Sequence, residues 1–152
     1  LFKLQNKGLS NCIATGKDVL EILQSSGTPG LDILTSGPVA PNPSEILASN
    51  RMKTVIDELK EKYDYVLIDT PPVLPVTDSS VIGSIADGTI LLTAWNQITP
   101  AMAKEAKTRL EQAGAKILGV VLNKVEVASK GYGYGYGYGY YYYYGHEEKD
   151  AK

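Results

Sequence analysis

The sequence predicts an α/β fold, a parallel sheet with helices on both faces, and two observations carry that expectation. Short apolar runs suited to buried strands occur at residues 65–68, 88–94 and 116–122. Between them lie segments with helical periodicity and helix start signals. Alternation of strand and helix implies right-handed crossovers, so the strands run parallel and their carboxyl ends share one edge.

Within residues 1–30, Ser10 is placed to cap a short helix through Ala14. Residues 19–23 and 31–34 form either a hairpin or a helix and strand around Gly27-Thr28-Pro29-Gly30, with a strand preferred at 31–34. Residues 37–43 hold three prolines and a glycine and read as a loop. A helical turn or two follows over 44–48. Asn50 then starts an amphipathic helix that puts Met52, Val55, Ile56 and Leu59 on one face, covering the sheet, and Lys53, Glu58, Lys60 and Glu61 on a solvated side. Asp78 precedes residues 79–86 with the chemistry of a helix N-cap, a role in substrate handling being the alternative. Thr99-Pro100 is cap followed by N1 proline, opening a helix that carries Met102, Ala106, Leu110 and Ala113 inward and ends at Gly114.

The chain centres on Tyr65-Val66-Leu67-Ile68-Asp69-Thr70-Pro71-Pro72. An apolar run delivers one carboxylate and is stopped by prolines. Ligands bind beyond the carboxyl ends of parallel strands, which puts Asp69 where chemistry is expected. A strand ending in one acid matches the Walker-B arrangement, in which the carboxylate supports the Mg²⁺ that neutralises nucleotide phosphates. The structural alternative is a core strand whose acid caps the next loop.

Asp69 to Asp78, Asp-Thr-Pro-Pro-Val-Leu-Pro-Val-Thr-Asp, resembles the loop after the Walker-B strand of bacterial tyrosine kinases, cytoplasmic enzymes that regulate capsule and exopolysaccharide synthesis. Gly37-Pro38-Val39-Ala40-Pro41-Asn42-Pro43-Ser44-Glu45-Ile46-Leu47 and the tyrosine-rich end agree with the same family, so the resemblance covers residues 8–144. It implies a P-loop NTPase-like fold, ATP and Mg²⁺ as cofactors of the complete protein, and Asp69 as the Mg²⁺ carboxylate. In the wider family an asparagine at the end of the last strand recognises adenine, which implies that role for Asn123. The alternative is a strand-end amide that satisfies loop backbone.

A phosphate-binding loop needs Gly-x4-Gly-Lys-Ser/Thr between a strand and a helix, because its backbone N–H groups and lysine cradle the phosphates. The nearest candidate, Thr15-Gly16-Lys17-Asp18, has Asp where Ser/Thr must reach Mg²⁺ and Asn11 where the first glycine belongs. The resemblance places that loop and a second Asp-rich motif upstream of the matched stretch. The chain is therefore expected to be an N-terminally truncated kinase domain, inactive alone, with apolar sheet edges exposed by a missing central strand. The expected division is 1–125 as a partial kinase domain and 126–152 as a flexible tail.

That tail places nine tyrosines, Tyr132, Tyr134, Tyr136, Tyr138, Tyr140, Tyr141, Tyr142, Tyr143 and Tyr144, among glycines that cannot form a core. Three readings compete: a clustered phosphoacceptor, a self-associating low-complexity segment, and a platform for stacking single-stranded bases. The family resemblance favours the first. A Gly-rich coil spanning roughly 25 Å reaches a neighbouring subunit's site. Each added phosphate brings about −1.5 to −2 charges, so repulsion between tails would open a ring-like homo-oligomer.

Composition narrows the rest. A formal net charge of −2 gives no basic surface for nucleic acid. No apolar run spans a bilayer, so no direct membrane insertion is expected. The resemblance instead implies attachment at the inner face of the plasma membrane through a transmembrane activator, a polysaccharide co-polymerase. The single cysteine, Cys12, forms no internal disulfide and reads as a small buried apolar residue. His146 and the mixed charges after it read as a solvated end. A non-catalytic phosphoacceptor or interaction module on the same fold is the runner-up.

Overall fold

The computed structural model describes residues 2–125. The tyrosine cluster, His146 and the expected tail domain lie outside the described residues.

Helix α1 (Leu9–Thr15) docks its first turn on an extended stretch, with Leu9 N–H donating to Thr35 C=O at 2.8 Å and Ser10 N–H to Ser36 C=O at 2.9 Å. Gly8 precedes the helix, and a Cβ there would fall 1.9 Å from the Thr35 carbonyl oxygen, so the close approach requires glycine. Ser10, expected as the cap, lies inside the helix. The helix ends at Gly16 in the left-handed region, φ 68°. A 3-10 turn (Val19–Glu21) leads into the antiparallel hairpin of β1 (Gln24–Ser25) and β2 (Asp32–Ile33), which closes around Gly27-Thr28-Pro29-Gly30. Residues 19–21 are helical and a strand lies at 32–33, as in the helix-and-strand alternative, but that strand pairs back on Gln24–Ser25 in a short hairpin.

Helix α2 (Pro43–Leu47) follows the proline-rich loop. Helix α3 (Asn50–Lys62) is capped by Ser49, whose Oγ accepts from Met52 N–H at 3.2 Å, and buries the four expected residues Met52, Val55, Ile56 and Leu59. Two apolar clusters share this helix. Cys12, Val19 and Ile22 pack on Val55 and Leu59, whereas Ile82 packs on Met52 and Ile56.

Residues 65–68 depart from expectation. They form no ladder among the described residues, and Tyr65 and Leu67 are 85 % and 91 % exposed, while Val66 packs on the Val55–Leu59 cluster. Among the described residues no strand pairs with the segment, and Ile68 is also exposed, so the buried strand inferred from sequence is an unpaired segment that Val66 alone anchors to the core.

Helix α4 (Asp78–Ile85) begins with Asp78 in its first turn and Thr77 at the cap position. The Asp78 carboxylate accepts from Ser44 rather than capping the helix, which corrects the N-cap assignment. Strands β3 (Thr89–Ala94) and β4 (Ile117–Asn123) pair in parallel, Ala94 opposite Asn123, across helix α5 (Pro100–Gln112). This is the expected crossover. Thr99 caps α5, its Oγ1 accepting from Met102 N–H at 3.2 Å. Ala106 and Leu110 are buried as expected, but Met102 is 41 % exposed. On β3, Thr93 is buried whereas Ile90 and Leu92 face outward, and Leu118, Val120 and Leu122 of β4 are also exposed. Among the described residues, apolar side chains of β3 and β4 are thus left open.

Candidate functional site

Asp69 stands where the extended segment gives way to Thr70-Pro71-Pro72, and two prolines fix the turn away from any strand direction. The loop that follows is held from three helices. Ser79 of α4 donates its Oγ hydrogen to the Pro71 carbonyl. Arg109 of α5 donates from Nη1 to the Leu74 carbonyl at 2.6 Å, its Nη2 pairing with Glu105 at 2.7 Å. Ser44 of α2 donates to Asp78 Oδ1 at 2.8 Å and lies 3.3 Å from Thr77 Oγ1. The proline-rich segment and the loop after Asp69, far apart in sequence, are thereby joined.

Asp69 is exposed and lines a cavity of about 820 Å³ between residues 30–36 and 65–71, whose floor is the apolar face of α3. Asp32 and Asp78 also line it. The Asp32 carboxylate accepts from Tyr63 Oη at 2.5 Å, and that bond pushes the Tyr63 phenol above its ordinary pKa, with smaller contributions from burial and from the carboxylate's charge. Among the described residues no cluster of three or more His, Cys, Asp or Glu side chains is placed to hold a metal ion. An Mg²⁺ that travels with nucleotide needs one or two carboxylates, the phosphates and water supplying the other ligands. Asp69 fits that requirement. The phosphate cradle does not, since Gly16 and Lys17 follow the end of α1 instead of joining a strand to a helix.

Asn123 sits elsewhere. It ends β4 opposite Ala94, its side-chain Oδ1 accepts from Lys124 N–H at 2.8 Å, and its carbonyl accepts from Trp95 N–H at 2.9 Å. It is not among the residues lining the cavity with Asp69. Its amide oxygen serves the backbone of the next residue, a bond that leaves the amide nitrogen to donate elsewhere. The nine tyrosines lie outside the described residues.

Sequence reasoning missed three side chains that shape the loop. Ser44 falls inside a recognised motif, which was the available signal for it. Arg109 and Ser79 have none, because an arginine on an exposed helix face and a serine in a first turn look the same whether or not a carbonyl lies within reach.

Comparison with known proteins follows the same lines. No protein-family model matches the chain. It is 37 % identical over 126 residues to the tyrosine-protein kinase CpsD of Streptococcus agalactiae, covering 83 % of this chain and 55 % of that protein. It is 38 % identical over 123 residues to the tyrosine-protein kinase YwqD of Bacillus subtilis, covering 80 % of this chain and 52 % of the relative. The solved kinase domain of Escherichia coli tyrosine kinase ETK superposes with a TM-score of 0.79 at 38 % identity, covering 90 % of this chain and 54 % of that one. The chain thus spans about half the length of the relatives named here.

Proposed function

Because the chain belongs to the bacterial tyrosine-kinase family and corresponds to the C-terminal part of its P-loop NTPase-like kinase domain, we propose that it supplies the metal-supporting carboxylate and the phosphoacceptors of an ATP-dependent tyrosine autokinase. The observation that carries this reading is Asp69, exposed in the lining of the cavity and followed by a loop tied to three helices. In the parent protein Asp69 would support Mg²⁺, and Asn123 would offer its amide nitrogen to adenine. Mg²⁺ and ATP supply charge neutralisation and the phosphoryl group. This chain's own residues orient: Arg109, Ser79 and Ser44 hold the loop that fixes the carboxylate.

The acceptors are the tyrosines from Tyr132 to Tyr144 in a tail, 126–152, that follows the catalytic part, 1–125. A phenol is a weak nucleophile at neutral pH, so transfer depends on positioning and electrostatics. Assembly into a ring, opened by tail phosphorylation, would regulate capsule or exopolysaccharide synthesis at the inner face of the plasma membrane through a transmembrane activator. What supports that placement is the family likeness.

Asp69→Asn in the parent protein is expected to lower tail phosphorylation by about 100-fold or more, measured with radiolabelled ATP, with folding checked by circular dichroism. Unchanged phosphorylation would remove Asp69 from the mechanism. The 152-residue chain alone is expected not to hydrolyse ATP, since Gly16 and Lys17 form no cradle. That same observation favours the second reading, a non-catalytic phosphoacceptor module. An active relative that phosphorylates the tail in trans while the Asp69→Asn parent protein behaves as wild type would select it.

A further inference from the structure

We propose that the tyrosine-rich segment 131–145 docks, while unphosphorylated, on a surface made by the two proline-rich loops of its own chain, and that phosphorylation releases it. The docking half stands on the loops themselves, and the release half rests on the reading of the tyrosines as phosphoacceptors.

Six of the chain's eight prolines lie in two loops, Pro38, Pro41 and Pro43 at the entry to α2 and Pro71, Pro72 and Pro75 ahead of α4, and all six are exposed. The bond from Ser44 to Asp78 holds the two helix starts together, so the loops share one surface. Val39, 99 % exposed, and Val76, 40 % exposed, add aliphatic area to it. Each proline ring fixes its own φ and supplies a carbonyl without an N–H, so the surface is stiff, apolar and rich in acceptors. The carbonyls of Pro38, Val39, Pro41, Val73 and Pro75 accept no backbone hydrogen bond among the described residues. A ligand suited to such a surface brings flat apolar rings that carry donors.

Residues 131–145 have that composition, nine tyrosines and six glycines with no charge among them. Tyrosine joins an apolar ring to a hydroxyl donor and gives contact area at low entropic cost. Aromatic grooves that take proline-rich peptides use the same pairing in reverse. A second copy's unpaired 65–69 fits less well, because adding a strand needs N–H groups on the receiving edge and proline has none. The root of the tail favours the same chain. Helix α5, which leads into β4, touches the second loop through Arg109 and the Leu74 carbonyl, and β4 ends at Asn123. The stretch from Asn123 to Gly131 extends to roughly 25 Å. Attachment at that range gives an effective concentration on the order of 1 mM, so contacts too weak to hold a separate peptide suffice.

Release follows from charge. Transfer of the ATP γ-phosphoryl group to a tyrosine Oη, with departure of ADP and of the phenol proton, turns a donor into a set of acceptors carrying about −1.5 to −2 charges. Residues 37–48 and 69–86 contain Glu45, Asp69 and Asp78 and no lysine or arginine. Arg109, beside Leu74, is already paired with Glu105. Acceptor then faces acceptor, and anion faces anion.

The test compares NMR spectra of the 152-residue chain with those of the same chain carrying Tyr→Ser at all nine positions. In wild type the methyl signals of Val39 and Val76 are expected upfield, moved by the ring currents of stacked tyrosines, at a position independent of protein concentration. Val39→Asp, whose side chain is already in water, is expected to abolish the shift at Val76 and to speed exchange of the tail amides about 5-fold, with the fold checked by circular dichroism. Leu67→Asp, exposed but outside both loops, is expected to change neither. Identical Val39 and Val76 signals in wild type and the serine chain overturn the docking. Shifts that fade on dilution assign the surface to a second copy's tail and overturn the intramolecular form. Phosphorylation by an added tyrosine kinase and ATP is expected to return both methyl signals to their positions in the serine chain, and signals that stay shifted overturn release. None of these readouts uses the chain's own activity, so docking and release stand or fall separately from the result for the Asp69→Asn parent protein.

Discussion

Val55 and Leu67 are both aliphatic residues on extended or helical backbone close together in the chain, yet one is fully buried and the other 91 % exposed. The difference lies in what each backbone needs. Helix α3 satisfies its own N–H and C=O groups and asks its surroundings only for side-chain contacts, which α1, the 3-10 turn and α4 provide from nearby. Residues 65–68 must find both backbone partners and a covering layer elsewhere. Among the described residues they find one covered face, through Val66, and no ladder. The helical part of the molecule is closed, and the strand part is open.

The sharpest way to break that contrast is to put the same charge in both places. Val55→Asp buries a carboxylate in the Cys12–Val19–Ile22–Leu59 cluster and is expected to destabilise the chain by more than about 4 kcal/mol, a large share of a typical domain's stability. Leu67→Asp is expected to stay within about 0.5 kcal/mol, because the side chain is already in water. Urea unfolding followed by circular dichroism measures both. A comparable loss at the two positions would mean that Leu67 is covered in solution and the open region is not open.

This pair of residues also shows how far sequence reasoning reaches. The stripe Met52, Val55, Ile56 and Leu59 was legible because helical period and cap together specify which side faces a core, and all four are buried. The Thr99-Pro100 start was legible because it is decided within one turn. The apolar character of 65–68 and of β3 and β4 was equally clear, but apolar pattern records what a segment would bury, not whether its neighbours are there. The same limit applies at the site. Asp69 at the end of its run was readable, whereas the bond from Ser44 to Asp78 and the grip of Arg109 on Leu74 depend on distances between remote segments. Asp78 was misread for a related reason: its position suited a cap, and only the packed fold put a serine hydroxyl within reach.

Helix caps test whether the open region is locally as well formed as the closed one. Ser49 and Thr99 make the same bond, side-chain oxygen to the N–H of the third residue on, at 3.2 Å in both. Alanine at either position is expected to cost about 1 kcal/mol. Equal losses in urea unfolding would show that α5, which supports the open β3–β4 pair, unfolds together with α3. A loss at Ser49 with none at Thr99 would show that the open half is already frayed before the closed half gives way.

The smallest effect belongs to Cys12, and it reports on the closed cluster alone. Burial pushes its thiol above the ordinary pKa, and the hydrogen bond and charge of Arg51, 3.8 Å away, offset this only in part. A raised folded pKa means that above the unfolded value, near 8.5 for a free thiol, the unfolded chain has released a proton that the folded chain still holds. Rising pH then favours the unfolded state. The contribution is fully present below that value and is lost as pH climbs through the folded pKa. Tyr63 also has a raised pKa, through Asp32, and titrates over a neighbouring range, but it is the same in wild type and in Cys12→Ala and cancels in their difference. Urea midpoints between about pH 7.5 and 10 are therefore expected to fall more steeply for wild type than for Cys12→Ala, whatever the substitution costs at neutral pH. Parallel slopes would mean that water reaches the sulfur, and the cluster that Val55 anchors would be looser than its packing implies.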